Sequence, residues 1–262
     1  MNALNTAATG MLAQQRNVEV ISNNIANLNT VGFKRQRAEF QDLLYQTLER
    51  PGAISSQTGT AIPNGVQIGT GVKTGSVYRI IEQGNVTQTG NDLDMAISGR
   101  GLYRVFLANG DEAYTRAGNF AVSADGRIVT EDGHEVSPII TIPQDAVDIS
   151  ISETGIVEAR IAGEQDLQEL GQIELVTFFN ESGLEAIGDN LLLETAASGE
   201  PIIGNPGDEG FGRILQGFIE TSNVDPVQEI TALIAAQRAY EMNARVIETS
   251  DEMLAINANL SG

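Results

Sequence analysis

Hydrophobic residues recur every seven positions at both ends of this chain, and the middle follows a different rhythm. Near the start, Leu4, Met11, Val18 and Ile25 are seven residues apart. Ala7, Ile21 and Leu28 fill the intervening face, with Gln14 as a polar exception. That spacing puts the apolar side chains on one stripe of a helix. The stripe runs into Asn-Leu-Asn-Thr-Val-Gly (27–32), whose Asn and Gly residues supply the turn chemistry that stops a helix. Near the other end, Leu233, Tyr240, Ile247 and Leu254 repeat the spacing, flanked by Ile230, Ala236, Ala244 and Met253. Asp225 can cap the first amides of this second helix, and Pro226 suits its first turn, where a missing N–H is not felt. No Gly or Pro interrupts Val227–Leu260, so one helix of about 50 Å is expected at 1.5 Å per residue.

From about Val66 to Gly217, short β-branched runs alternate with Gly, Asn and Asp. Strands are predicted at 102–107, 119–122, 128–130, 139–142, 147–151, 155–161, 173–179 and 191–195. Asn109-Gly110, Asp125-Gly126 and Asp132-Gly133 take the positive φ angles of tight hairpins. Residues 46–65 have no period and are rich in Pro, Gly, Ser and Thr, so they read as a long loop or connector.

Neither terminal helix can bury its stripe alone. Periodicity leaves two arrangements open: each helix covers the β region, or the two pack together. A helix of about 34 residues is long for a cover, which favours pairing. The predicted fold is α+β, with a discontinuous domain of paired N- and C-terminal helices (1–32 and 222–262). An extended connector (33–70, including the loop 46–65) and a mainly antiparallel β domain (71–221) lie between them.

Composition narrows the chemistry. The 262 residues are 41% hydrophobic but only 5% aromatic, without Trp, so the core rests on Val, Ile and Leu. There is no Cys, which excludes a disulfide framework, a thiolate zinc site and a thiol nucleophile. The net charge of −20 argues against nucleic acid as a partner, because that binding rests on Lys and Arg neutralising phosphates. Residues 1–45 are nearly neutral, whereas 46–224 carry 26 acidic and nine basic side chains, an uneven distribution that suits a solubilising surface on the middle domain. No stretch approaches the ~20 apolar residues of a membrane span, and the N-terminal residues lack the pattern of a cleavable signal peptide.

No catalytic constellation emerges. His134, the one histidine, follows Asp132-Gly133 in an expected turn, where a surface imidazole is the plainer reading. Gly69–Gly75 lacks the spacing of a phosphate loop and a helix to follow it. Asn91, Asp92, Asp94 and Asp125 are oxygen donors without a calcium-loop pattern. The abundant carboxylates include no pair that spacing singles out. The expectation is a protein that is not an enzyme and holds no cofactor or metal.

One junction is more specific. Asn23-Asn-Ile-Ala-Asn-Leu-Asn-Thr-Val-Gly-Phe-Lys34 resembles the signature of the flagellar rod and hook axial proteins, through Asn23, Asn24, Asn27, Thr30, Gly32, Phe33 and Lys34. Gln237–Ala244 with Ser250–Leu254 is similar to that family's closing helix, and the segments 33–46, 67–72, 113–116 and 220–224 are similar to its distal-rod members. The resemblance implies a structural subunit of the distal rod. Its paired helices would line a hollow axial filament, packing through Leu4, Met11, Val18, Ile21, Ile25, Leu28, Leu233, Tyr240, Ile247 and Leu254, and its β domain would form the outer layer. It also implies a periplasm-spanning place in the basal body and transmission of torque from motor to hook. The implied partners are copies of itself, the adjacent proximal rod and hook subunits, the surrounding ring proteins and the flagellar export apparatus, with no cleaved leader and no membrane insertion. Residues 46–65 would brace neighbours and keep the filament straight. A proximal rod or hook subunit of the same family is the alternative. A secreted β-rich adhesin or binding module is the reading from another class, and it leaves the terminal helices without a purpose.

Overall fold

The computed structural model describes residues 2–49, 64–163 and 166–260. They form two compact units, each assembled from separated stretches of chain. The first unit takes in Met1–Ala26, Gln36–Tyr78 and Asp225–Gly262; the second takes in Asn27–Arg35 and Arg79–Val224. The helices and most of the segment expected to be a connector thus fall into one unit, while its first residues, 33–35, fall into the other.

In the first unit, α1 (Asn2–Ala26) and α2 (Pro226–Leu260) are each unbroken. α2 begins as its sequence requires, since Asp225 Oδ1 accepts hydrogen bonds from the amides of Val227 (2.8 Å) and Gln228 (3.3 Å). The two helices pack on each other more extensively than any other pair of elements. Beside them runs a two-stranded ribbon. β1 (Gln36–Asp42) pairs with β4 (Val72–Arg79), and β2 (Tyr45–Glu49) pairs antiparallel with β3 (Val66–Gly69), Tyr45 opposite Gly69 and Gln46 opposite Ile68. The described part of 33–70 is therefore largely strand. It escaped the sequence pattern because its residues are mostly exposed, so no alternation is imposed by burial. Most of the loop expected at 46–65 lies outside the described residues.

The second unit is β-rich, with one short 3-10 turn at Glu181–Gly183. Its largest sheet has nine strands, and its central strand, Leu102–Phe106, is flanked by Glu112–Thr115, Glu135–Ser137 and Leu175–Thr177, all antiparallel. A three-stranded antiparallel sheet spans 146–172. The core is aliphatic, as a chain without Trp demands: Met95, Val105, Ile173 and Leu175 are fully buried. Two edge-to-face aromatic pairs complete it, Tyr103–Phe120 at 5.0 Å and Tyr114–Phe178 at 4.8 Å between centroids.

The strand predicted at 139–142 does not form. Ile140 and Ile142 are buried, but Pro138 and Pro143 flank them and donate no ladder hydrogen bond; one isolated bridge, Arg127 to Thr141, is all that remains.

Candidate functional site

The helix pair is antiparallel and in register. A Cβ on Gly10 would come within 2.9 Å of Asn243 Nδ2, and Asn24 Nδ2 donates to Glu229 Oε2 at 3.1 Å. These two contacts lie fourteen residues apart on both helices. Both of these contacts across the pair are made by small or polar side chains. Ala7, Ala13, Ile21 and Asn24 of α1 are buried, as are Glu229, Ala236 and Ser250 of α2. Small residues let helix axes approach closely, and the bulkier stripe is left beside the seam.

Of the ten apolar positions expected to pack the helical core, Ile21 is buried at 5% exposure. Leu4, Met11, Val18, Ile25, Leu233 and Ile247 are half-buried, while Tyr240 (41%) and Leu254 (46%) are exposed. Leu28, also half-buried, belongs to the second unit. The face of α2 turned away from the seam carries further exposed apolar residues, including Val227, Ile230, Ile234 and Met242.

The signature residues divide between the two units. Asn23 is exposed on α1. Asn24, by contrast, is buried and acts as a staple. Its Oδ1 accepts from the amide of Gln36, and its Nδ2 donates to the Gln36 carbonyl, both at 2.8 Å, besides the bond to Glu229. One side-chain amide thus ties the end of α1 to the start of β1 and the first turn of α2, satisfying groups that burial would otherwise penalise.

Residues 27–35 form a turn and an extended stretch in the second unit. Asn27 Oδ1 accepts from Thr30 Oγ1 at 3.0 Å, and the amide of Phe33 donates to the Thr30 carbonyl at 3.3 Å. Gly32 is required twice over. Its φ of +69° favours glycine, and a Cβ there would sit 2.7 Å from the backbone of Arg116 and Ala117. Its amide donates to the Glu220 carbonyl at 2.8 Å.

Lys34 ends the signature in a buried charge cluster. Its Nζ donates to Glu220 Oε1 at 2.5 Å and to the Glu82 carbonyl at 2.8 Å. Arg116 approaches Glu220 Oε2 from the other side at 2.6 Å, and its remaining N–H groups donate to the carbonyls of Ile97, Gly99 and Gly101. The Gly84 amide adds a further donor to Glu220 at 2.9 Å. Burial pushes the Glu220 pKa up, but the charge of Arg116 and the bond and charge of Lys34 outweigh it and hold the carboxyl below its ordinary value. Lys34 responds in the opposite sense. Burial outweighs its bond to Glu220 and lowers its pKa, with the nearby Arg116 acting in the same direction. A carboxylate with two cations is well compensated, while each cation shares one anion, so Glu220 is the anchor of the cluster. Asn223 reinforces the same junction, its Oδ1 accepting from the Arg35 amide at 2.7 Å and its Nδ2 donating to the carbonyls of Ile80 and Glu82.

Arg116, Glu220 and Asn223 stood in the sequence only within stretches of resemblance, without a role. The available signal was a lone charge directly after Phe218-Ile219 in an apolar strand. The other candidates are accounted for locally. His134 sits half-buried in its turn. Gly69–Gly75 runs from β3 into β4 with no helix after it. Both carboxylate oxygens of Asp94 are taken by Thr89 and Asn91.

A bipartite arrangement of an antiparallel helix pair with unspent apolar surface and a separately folded β unit suits an axial assembly subunit, and comparison with known proteins agrees. Residues 4–34 match the flagella basal body rod protein family, 96–159 the D1 domain of the flagellar hook proteins FlgE/F/G, and 215–260 the C-terminal region of the basal body rod FlgEFG proteins. The chain is 62% identical to the flagellar basal-body rod protein FlgG of Caulobacter vibrioides, over 99% of both chains. It is 53% identical to FlgG of Agrobacterium fabrum over 98% of both, and 42% identical to FlgG of Bacillus subtilis over 99% of both. Identity to the FlgF rod protein of Caulobacter vibrioides is 34%, over 96% of this chain and 94% of that one. The chain belongs to the FlgG family of flagellar basal-body rod proteins, and its function is that of a structural rod subunit.

Proposed function

We propose that the chain polymerises with copies of itself into the hollow, straight distal rod, which passes torque from the motor to the hook, and that its work is mechanical, with no catalytic step. The reading is carried by one observation: after α1 and α2 have paired, large apolar side chains remain exposed along α2, among them Val227, Ile230, Ile234 and Met242. Exposed apolar surface costs about 25 cal/mol per Å² relative to burial, which neighbouring subunits recover on assembly. Identity of 62% to a FlgG protein against 34% to a FlgF protein favours the distal rod over another rod position. In this reading the subunit is passed on by the flagellar export apparatus. It meets proximal rod and hook subunits at the filament ends and ring proteins around it, and 46–65 braces neighbours against bending. Electron microscopy of polymers grown from the purified chain tests it. Straight tubes are expected, and Ile230→Glu should abolish them while leaving the monomer's circular dichroism unchanged. A chain that stays monomeric at high concentration, or a mutant that still forms tubes, would count against the proposal.

A further inference from the structure

Within the first unit, α1 and β4 enclose a cleft of about 370 Å³ lined by Thr9, Leu12, Arg16, Glu19, Val72 and Lys73. Its floor is built and not accidental. The Val72 amide donates to Thr9 Oγ1 at 3.3 Å, and a Cβ on Gly71 would lie 2.2 Å from that oxygen, so β4 can seat on α1 only with glycine at this position. Leu12 is 63% exposed at the cleft. Arg16 and Glu19 pair with each other at 2.8 Å, which leaves Lys73 as an exposed cation with no ion pair among the described residues. The cleft thus presents an uncovered leucine beside an uncompensated positive charge.

The matching surface is on the same chain but at another place. Gly10 lies level with Asn243 and Asn24 with Glu229, so the antiparallel register brings Asn2 level with Asp251. α2 continues to Leu260, and its last nine residues, 252–260, run past that level for about 13 Å. Met253, Leu254 and Ile256 are exposed on this last stretch of α2. Between Arg245 and Leu260 the helix carries Glu248, Asp251 and Glu252 and no basic side chain. Glu252 and Ile256 are four residues apart and share one face, with Met253 next to them.

We infer that the cleft receives the end of α2 from a second copy of this chain, with that copy's Glu252 meeting Lys73 and its Met253 and Ile256 covering Leu12. The inference rests on the self-assembly reading and specifies one of its contacts. Charge and apolarity match on the two surfaces, and the geometry fits a polymer. The two patches differ, one midway along α1 and the other at the tip of α2. Used head to tail, the contact is heterologous, and it propagates into an open filament when its rotation does not close a ring.

Because the chain has no cysteine, single substitutions give a clean test. Leu12→Cys and Ile256→Cys subunits, each full length, are mixed, polymerised and oxidised, with Phe179→Cys on the second unit as the comparison partner. The expected product is a mixed Leu12–Ile256 disulfide well above any Leu12–Phe179 product. Filaments that form without it, or that link Leu12 to Leu12 or to Phe179 instead, overturn the docking and leave self-assembly standing. A mixed disulfide without filaments upholds the docking and sinks the filament reading, and neither product nor filaments sinks both. In a second arm, Lys73→Glu should raise the critical concentration for assembly on the order of fivefold, as for loss of an exposed ion pair. Combining it with Glu252→Lys should restore assembly. No effect of the single change, or no rescue by the double change, overturns the pairing of Lys73 with Glu252.

Discussion

The two units of this protein spend their apolar residues in opposite ways. The β-rich unit closes a core over large side chains, with Met95, Tyr103, Val105, Ile173 and Leu175 fully buried, and the apolar residues it exposes, such as Val147 and Phe179, lie outside that core. The helical unit buries Ala7, Ala13, Ile21 and Ala236 and leaves Leu12, Leu44, Leu48, Ile230, Ile234, Met242 and Ile256 in contact with solvent. The first pattern is that of a domain complete in itself. The second is that of a part whose core closes only when neighbours arrive, since an isolated soluble domain seldom leaves so much apolar surface uncovered. The difference teaches where stability and function separate. Changes in the β unit should be felt by the monomer, and changes in the helical unit mainly by the polymer.

The largest expected effect is at the charge cluster of the β unit. Glu220→Ala leaves Lys34 and Arg116 buried without their carboxylate, which should cost about 3–5 kcal/mol of unfolding free energy in denaturant titration. The same cluster has a pH signature. The folded pKa of Glu220 lies below its ordinary 4.5. Its contribution is therefore complete above about pH 4.5 and is lost as pH falls through the depressed folded value. Glu220→Gln should flatten that acid limb, and an unchanged limb would show that another carboxylate is responsible. Close behind comes Ile173→Ala, which empties part of the aliphatic core and should cost about 2–5 kcal/mol, read by the same titration.

Gly32→Ala is expected to be smaller but still clear. The positive φ alone costs an L-residue roughly 1–2 kcal/mol, and the new methyl meets the backbone between Arg116 and Ala117 and not a yielding side chain. Thermal unfolding of the monomer measures it. A variant as stable as the parent would mean that residues 27–35 are not held in the β unit as described.

The sequence carried the elements better than the phase of their packing. Both terminal helices and the Asp225 cap were legible, because periodicity, a capping side chain and the absence of Gly and Pro are local signals. Which face of each helix forms the seam was not. In α1, Leu4-Met11-Val18-Ile25 and Gly10-Asn17-Asn24 have the same spacing of seven, and in α2 so do Leu233-Tyr240-Ile247-Leu254 and Glu229-Ala236-Asn243-Ser250. A period fixes the pitch of a stripe and says nothing about which of several stripes meets the partner. The polar seam is also the one that a hydrophobicity criterion passes over. The Lys34–Glu220–Arg116 cluster was hidden for another reason: its members lie 82 and 104 residues apart along the chain, and only the tertiary fold brings them together. The signature itself was visible throughout, yet the division of its work was not. Asn24 ties helix to ribbon inside one unit, and Gly32 and Lys34 tie the extended segment into the other.

The smallest expected effect is the most informative about the contrast between units. Ile234 is about half exposed on α2, on the side away from the seam. Ile234→Ser should change the monomer's stability by no more than about 0.5 kcal/mol, as for surface positions in general. In an assembled tube the same side chain would be buried, and losing it removes about 1.5–3 kcal/mol per subunit contact. By the rule of tenfold per 1.4 kcal/mol, the critical concentration should then rise about tenfold or more. Sedimentation and thermal unfolding of the same sample separate the two quantities. A monomer destabilised by several kcal/mol would mean that Ile234 already belongs to a closed core, and the helical unit would no longer be incomplete. An unchanged critical concentration would move the contact surface elsewhere on the pair, towards the flanking stripe of Met11, Val18 and Ile247.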